Sequence, residues 1–109
     1  MRDHPAPVDL GAVEGDGGVV WSAAPEGVHA NLVVLGARQV IDAHRNNELD
    51  VLVVVLDGAA TVTVDGVAHE LPAAHALVVP RGAERTIASG DDGVRYLSIH
   101  RRRGGLGIA

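Results

Sequence analysis

Four polar side chains at alternate positions form the densest group of potential ligands in the chain: His44, Asn46, Glu48 and Asp50. On an extended strand, residues two apart face the same side, so one imidazole, one amide and two carboxylates would lie together. Imidazole and carboxylate groups bind divalent transition metals, and a metal here would use His44, Glu48 and Asp50. The sequence leaves open the alternative of a solvated loop that leads into the apolar run beginning at Val51.

Arg85 is the second residue with evident chemistry. Its guanidinium stays protonated and repels cations, so it cannot act as a metal ligand. A buried charge needs a partner, and Asp50 or Glu48 could pair with it to seal the protein interior. The alternative role is a bidentate anchor for the carboxylate or phosphate of a small ligand. Both roles remain open from the residues alone.

The last apolar run carries a third candidate, His100. Tyr96, Ser98 and His100 share one face of a strand, while Leu97 and Ile99 share the other. If the polar face points inward, His100 joins the site, and if it points outward, that face is simply hydrated. The remaining histidines are expected at the surface, near turns or strand ends: His4, His29, His69 and His75. The sequence contains no readable nucleophile–base–acid triad, phosphate-binding loop or nucleotide-binding fingerprint.

Short valine-rich runs between turn residues would position these side chains. The chain has 18 valines, no phenylalanine and only two large aromatic residues, a composition that favours strands. Asp65-Gly66 is the clearest hairpin turn. No segment has helical periodicity, so the pattern indicates an all-β barrel or sandwich. An immunoglobulin-like sandwich and an OB-fold lack their usual residue signals here. The expected strands are 19–23, 30–35, 39–44, 50–56, 60–64, 67–71, 75–79, 85–88 and 94–100, with a turn at Asp57-Gly58 and a loop at 90–93. The apolar run 50–56 suits a strand buried on both faces, and the candidates for the barrel wall are Val51, Val53, Val55, Val62, Val64 and Val78.

Length and composition restrict the function classes. A chain of 109 residues has room for one domain, expected at 19–103 between a flexible lead-in (1–18) and a flexible tail (104–109). The net charge of −5 argues against nucleic-acid partners. Without cysteine, disulfides are excluded. No apolar run is long enough to cross a bilayer and no signal peptide is evident, so we expect a soluble cytoplasmic protein without a membrane partner.

Two motifs resemble those of the cupin superfamily, which has a double-stranded β-helix of jelly-roll type, and specifically small RmlC-like cupins. The first motif runs from Gly36 through His44, Asn46 and the acidic pair to Gly58. The second places a Pro-x-Gly turn at 80–82 before Arg85 and Ser89. The Asp65-Gly66 hairpin joins the two motifs, as is common in cupins. The resemblance covers about half of the chain directly and implies an all-β cupin barrel.

The resemblance also implies a metal site, and the sequence departs from it. Asn46 stands at the second histidine position of the first motif, and Arg85 stands at the histidine position of the second. The expected glutamate position falls on Val51, one residue from Asp50. Of the four ligands that the resemblance implies, only His44 is plainly present. No cofactor is favoured, although a divalent metal on His44, Glu48 and Asp50 remains an option.

Three functions therefore stay open, as does the question whether the chain is an enzyme. The first is a cupin that binds a small, anionic molecule in the barrel without a standard metal centre. Its ligand-binding residues would be His44, Asn46, Glu48, Asp50, Arg85 and His100. The second is a metal-dependent enzyme, dioxygenase- or isomerase-like, with a non-standard ligand set. The third is an interaction module with a filled barrel. The resemblance further implies a homodimer that forms through sheet faces.

Overall fold

A computed structural model describes residues 5–101 as an all-β structure of seven strands. The predicted tail at 104–109 lies outside the described residues, and the predicted lead-in is described only from residue 5. No helix occurs among the described residues, and consequently none that could cross a membrane. The cytoplasmic location stays a prediction. The strands are β1 (Gly18–Ala23), β2 (Val28–Leu35), β3 (Val40–Arg45), β4 (Val51–Val64), β5 (Val67–Pro72), β6 (Ala76–Val79) and β7 (Glu84–Arg101).

Two long strands, β4 and β7, form the centre of the fold and pair antiparallel along nearly their whole length. The first half of β4 pairs with the second half of β7, and there β2 and β6 flank the pair, with β1 outside β2. Beyond the bend, the second half of β4 is flanked by β5, and the first half of β7 is flanked by β3. One strand pair therefore serves two sheet halves, a five-stranded one and a four-stranded one.

Backbone irregularities divide both long strands, where the sequence predicts breaks. Asp57-Gly58 was expected to be a turn and 90–93 a loop, yet both segments lie within strands. The β4–β7 register shifts on either side of Gly58, which has a φ of 74°. A bulge bends a strand and increases its twist without ending it. The expected turn and loop were wrong because bending supplies the change of direction that a turn would have given.

Two glycines allow the backbones to approach at this bend. A Cβ atom added to Gly58 would collide with the carbonyl oxygen of Gly93. Gly93 itself has a φ of 80°, and a Cβ there would lie 2.6 Å from the carbonyl oxygen of Leu35. Only glycine adopts these dihedral angles without steric cost and tolerates such contacts. The bend is therefore encoded by glycines on both long strands.

The hairpin between β4 and β5 confirms the clearest turn signal. Val64 pairs with Val67, and the two intervening residues, Asp65 and Gly66, have φ values of 47° and 84°. Two consecutive positive φ values define a type I′ turn, whose twist matches that of the flanking strands. The Asp65 carboxylate also accepts a hydrogen bond from the backbone N–H of Glu84, which fastens the hairpin to the start of β7.

A single apolar core lies between the two halves of the folded sheet. Alternate residues of β4 contribute to it, first Val51, Val53 and Val55, and beyond the bend Ala60 and Val62. We expected β4 to be buried on both faces and Val78 to line the barrel. The second face of β4 is only partly covered, and Val78 is 58% exposed. On β6 the neighbouring positions, Leu77 and Val79, pack into the core instead.

The segment before β1 is attached to the outer face of the sheet. Arg95 of β7 donates hydrogen bonds from Nη1 to the carbonyl oxygens of Leu10 and Val13, both at 2.9 Å. Arg95 neighbours Tyr96 and Val94 along β7, which face the core, so its side chain lies on the opposite face. The flexibility of this lead-in stays a prediction, but two of its carbonyls have a defined contact.

Candidate functional site

The predicted anchor, Arg85, lies on the inner face near the start of β7. Its cross-strand partners are His44 of β3 and Val64 of β4. It shares a face with Ile87 and Ser89, which are both buried. The guanidinium atom Nη1 is itself fully buried, and no hydrogen-bond partner reaches it. A donor that has lost its water and gained no acceptor is costly, so this atom marks a place where an acceptor is missing.

Tyr96, inside the fold, is the residue with which the charge of Arg85 interacts electrostatically. Tyr96 is 2% exposed, and burial raises the pKa of its phenol to about 12, while the charge of Arg85 partly opposes this rise. Burial correspondingly lowers the pKa of Arg85. On a straight strand the two residues would be about 36 Å apart. Their electrostatic interaction therefore reflects the bend of β7, which folds one end of the strand over the other.

The carboxylates that could have neutralised Arg85 do not reach it. Within residues 5–101, no carboxylate oxygen lies within 4 Å of this guanidinium. Asp50 instead accepts a 2.8 Å hydrogen bond from the backbone N–H of Arg81. Glu48 lies exposed in the same segment. The interior charge is thus not sealed by either of the acidic residues that the sequence offers.

The polar ladder expected from His44 to Asp50 does not form, because β3 ends at Arg45. Asn46 turns the chain instead: its Oδ1 accepts the backbone N–H groups of Glu48 and Leu49, both at 3.0 Å. A side-chain amide that binds the backbone two and three residues on is a typical turn device. The loop alternative therefore describes 46–50, and the four side chains do not share a strand face.

The donor set does not fit the metal that the resemblance implies. Among residues 5–101, no three His, Cys, Asp or Glu side chains are grouped so that they could hold a metal ion. His44 is exposed, and its partner across the ladder is the cationic Arg85. A protonated guanidinium beside the imidazole opposes a second positive charge.

Three of the predicted ligand residues meet elsewhere, in a cleft of about 560 Å³ lined partly by Glu48, Asp50 and His100. Its floor is apolar. Leu52 of β4 lies at the centre of the floor, and its partners across the ladders are Val78 of β6 and Ile99 of β7. These floor residues alternate with the core residues of their strands, so the floor belongs to the outer face. The predicted set therefore divides: Arg85 lies on the inner face with the exposed His44 across the ladder, Asn46 turns the loop, and Glu48, Asp50 and the strand-end residue His100 border this cleft. The cationic side chains at the cleft are Arg81 and Arg101.

On the face of the β2–β7 pair that carries Val33 and Tyr96, β2 contributes two polar residues that were not predicted there, Asn31 and His29. Asn31 of β2 pairs with Ser98 of β7, one step along from the buried pair Val33 and Tyr96. One step further, His29 pairs with His100, with ring centroids 5.2 Å apart. The alternation from Leu35 back to His29 was a usable signal. It was overlooked because His29 stands beside a turn and was assigned to the surface.

Comparison with known proteins supports the fold more strongly than any activity. No family model matches the chain. A curated relative, dimethylsulfoniopropionate lyase DddW of Ruegeria pomeroyi, is 32% identical over 74 residues, which is 68% of this chain and 48% of DddW. The chain thus spans about half the length of that relative.

Solved structures give the clearer likeness. A cupin from Bacteroides fragilis superimposes with a TM-score of 0.74 at 22% identity, covering 97% of this chain and 90% of that one. KdgF from Halomonas sp. superimposes with a TM-score of 0.70 at 20% identity, covering 81% of this chain and 79% of KdgF. The cupin domain of Schizosaccharomyces pombe Cnp3 superimposes with a TM-score of 0.70 at 22% identity, covering 76% of this chain and 63% of that one. The resemblance found in the motifs is confirmed: the chain has the cupin fold, a double-stranded β-helix of the RmlC-like, jelly-roll type.

Proposed function

We propose that this cupin binds a small anionic molecule, a carboxylate in the first instance, inside its barrel through Arg85. One observation carries the proposal: the buried Nη1 of Arg85 has no hydrogen-bond acceptor. A buried donor without a partner costs about 1–3 kcal/mol. A ligand carboxylate would recover that cost through a charge-assisted hydrogen bond, and guanidinium and carboxylate match each other in a planar, bidentate geometry.

The surroundings of Arg85 favour an anion over a cation. No protein carboxylate neutralises the guanidinium within residues 5–101, so a ligand cation would meet an uncompensated positive charge. The nearby phenol of Tyr96, with a pKa of about 12, keeps its proton at neutral pH. It can therefore donate a hydrogen bond to a ligand oxygen. His44 stands across the ladder from Arg85, so its ring is a candidate for an additional contact at the mouth of the barrel.

The test is a titration followed by NMR chemical shifts, with two probes of equal length and opposite charge, hexanoate and hexylammonium. We expect hexanoate to shift resonances of Arg85, Tyr96 and their neighbours, and hexylammonium to leave them unchanged. Arg85→Gln should remove the hexanoate response. The matched control Arg38→Gln changes a 77% exposed arginine on the surface and should leave it intact. Equal binding of both probes, or full binding by Arg85→Gln, would overturn the proposal.

A lyase activity is the second candidate, favoured by the 32% identity to dimethylsulfoniopropionate lyase. Dimethylsulfoniopropionate carries a carboxylate that the same guanidinium could hold. Elimination also needs a base for the proton beside the carboxylate, and a phenol with a pKa of about 12 is a poor base at neutral pH. Binding alone predicts no dimethyl sulfide above the rate without protein. Release that Arg85→Gln abolishes would establish the lyase.

Metal content separates binding from the metal-dependent alternative. Protein purified without chelator should contain substoichiometric iron, manganese, nickel and zinc, because the guanidinium disfavours a cation at the position where the resemblance implies a ligand. A stoichiometric metal that is lost on His44→Ala would contradict the proposal. It would support the enzyme with an unconventional ligand set instead.

We also propose that the chain forms a homodimer through the outer face around the 560 Å³ cleft. This face joins exposed apolar residues, such as Val78 at 58% exposure, to side chains of both charges. A two-fold interface pairs a surface with itself, and a patch that carries both signs can complement its own copy. Light scattering should report a dimer that Val78→Asp dissociates. The control, Val67→Asp, places the same charge at a 59% exposed valine on the β4–β5 hairpin and should stay dimeric. A wild-type protein that is monomeric at micromolar concentration would contradict the proposed dimer.

A further inference from the structure

Two histidine rings lie together at one end of the β2–β7 ladder. His29 and His100 are direct cross-strand partners, one step from the last pair of the ladder, Val28 and Arg101. Their ring centroids are 5.2 Å apart, and both residues are partly buried. Neither residue belongs to the two cupin-like motifs, so this histidine pair is distinct from the ligand positions that the resemblance implies.

A backbone hydrogen bond fixes the tautomer of one ring. Nδ1 of His100 lies 2.9 Å from the carbonyl oxygen of Arg101. A carbonyl oxygen can only accept a hydrogen bond, so Nδ1 carries the hydrogen and Nε2 of the neutral ring keeps its lone pair. Metal-binding histidines are commonly oriented in this way, with the second ring nitrogen donating to a carbonyl or carboxylate. His100 therefore has the tautomer of a ligand.

The ring of His29 can supply the second ligand. No protein group within residues 5–101 hydrogen-bonds to either of its nitrogens, so an incoming ion displaces no protein partner. Two imidazoles bound to one tetrahedral ion, at metal–nitrogen distances of about 2.0–2.1 Å, have ring centroids about 5 Å apart. The separation of the histidine pair matches this value, so the strand register already provides the spacing that a shared ion requires.

The charges near His100 do not oppose a cation in the way that Arg85 does. The cleft that His100 borders carries the carboxylates of Glu48 and Asp50 beside an equal number of guanidinium groups. At Arg85, by contrast, no carboxylate oxygen within residues 5–101 lies within 4 Å of the guanidinium. A cation at the histidine pair therefore meets a balanced set of charges rather than an uncompensated positive one.

We propose that His29 and His100 form a two-histidine site for a divalent late transition metal, which binds Cu²⁺ more tightly than Zn²⁺. Imidazole suits both ions, and Cu²⁺ ranks highest in the general order of affinities. Among residues 5–101 no third His, Cys, Asp or Glu is grouped with the pair, so the other coordination positions stay open to water. Two protein ligands release an ion readily, which agrees with the substoichiometric metal content expected after purification. The site does not use Arg85 and is independent of anion binding.

The test is calorimetric titration of metal-free protein with CuCl₂ and with ZnCl₂, together with NMR of the imidazole rings in the presence of Zn²⁺. We expect one ion per chain and shifts of the His29 and His100 ring resonances. His29→Phe and His100→Phe each keep an aromatic ring at the contact and remove the ligand nitrogens. Each should weaken Cu²⁺ binding about 100-fold, the lower end of the gain that a second linked ligand supplies. MgCl₂ should give no binding, since Mg²⁺ prefers oxygen ligands.

His75→Phe is the matched control. Nδ1 of His75 also lies near a backbone carbonyl oxygen, that of Ala73 at 3.1 Å, but the only contact between two rings in the described part of the chain is that of His29 with His100. The control should bind Cu²⁺ as the wild type does. Zn²⁺ should raise the Tm of the wild type and of the control, since a ligand stabilises the state that binds it. It should not raise the Tm of the other two Phe variants.

The outcomes also separate this site from the cupin motifs. Weakened Cu²⁺ binding in both variants of the histidine pair, with full binding by His75→Phe and Arg85→Gln, supports the site. Wild-type binding weaker than about 1 mM, or binding that neither variant of the pair changes, would overturn it. Binding that His44→Ala removes and His29→Phe retains would place the ion in the cupin motifs, and would contradict both this site and the proposed anion function. If melting without metal shows that a Phe variant is unfolded, threonine, which suits strands, replaces the same histidine in the same test.

Discussion

Replacing Arg85 by methionine should make the ligand-free protein more stable while it abolishes anion binding. Methionine keeps an unbranched, flexible stem and fills irregular apolar space without needing a hydrogen bond. The native guanidinium has one buried nitrogen without a partner, and burial already lowers the pKa of Arg85. Sites that serve binding commonly carry such a cost in stability.

The expected increase in the free energy of unfolding comes from removing one buried donor that has no acceptor. An unsatisfied buried group costs about 1–3 kcal/mol. The rest of the Arg85 side chain is only half-buried, so its other nitrogens keep part of their hydration and the lower end of this range applies. We therefore expect Arg85→Met to raise the free energy of unfolding by about 1 kcal/mol. For a domain of this size that corresponds to about 4–8 °C in Tm.

The assay is urea unfolding followed by Trp21 fluorescence, together with calorimetry, in buffer without carboxylates. The control, Arg38→Met, breaks an exposed ion pair with Asp91 whose Nε–Oδ1 distance is 3.3 Å. It should change stability by less than about 0.5 kcal/mol. Adding hexanoate should raise the Tm of the wild type, since a ligand stabilises the state that binds it, and should leave Arg85→Met unchanged. A Met variant destabilised by 1 kcal/mol or more would show that the guanidinium has a structural partner, and the proposed anchor would lose its basis.

Three further predictions concern the framework that holds this site. Gly58→Ala should prevent folding or lower the free energy of unfolding by more than about 3 kcal/mol, because the new Cβ would collide with the backbone of Gly93. The control is Gly66→Ala, which is also at positive φ but in open space. It should cost only about 1–2 kcal/mol, as measured by chemical unfolding. Tyr96 has a folded-state pKa of about 12 against 10.0 in the unfolded chain, so the folded state holds its proton more tightly. Stability should be intact below pH 10 and fall by roughly 2–3 kcal/mol between pH 10 and 12, as measured by urea unfolding at each pH with tyrosinate absorbance; loss confined to lower pH would contradict the assignment. Ser89→Ala removes a buried hydroxyl that donates to a backbone carbonyl after β2, and should cost about 1–3 kcal/mol in the same assay; an unchanged midpoint would mean that this contact is dispensable.

Part of the site could be predicted because strand periodicity and motif spacing are local. Placing Tyr96, Ser98 and His100 on one face needed only the two-residue repeat of a strand. Arg85 was found because it occupies a position where the cupin resemblance implies an imidazole. The Asp65-Gly66 turn was readable because few dipeptides tolerate two positive φ values.

Other features depended on events that single segments do not encode. Whether 46–50 continued β3 or formed a loop was decided by the amide of Asn46, which binds the backbone of its own segment. The phase of β6 was misread at Val78, since a four-residue strand offers too few alternations to identify its inner face. The breaks expected in β4 and β7 became bends because the two strands pair with each other on both sides of the irregular segment.

The strand pattern of the sequence determined an all-β fold, and the resemblance of two motifs to cupins implied the barrel type, the incomplete metal-ligand set and the arginine in place of a histidine. Only the tertiary structure decided what that arginine faces. Folding left Arg85 without a carboxylate partner within residues 5–101 and within electrostatic range of Tyr96, because the glycine-dependent bend sets the distance between the two ends of β7. A charge acquires partners through space, and the identity of those partners follows from strand register and curvature rather than from neighbouring positions in the chain.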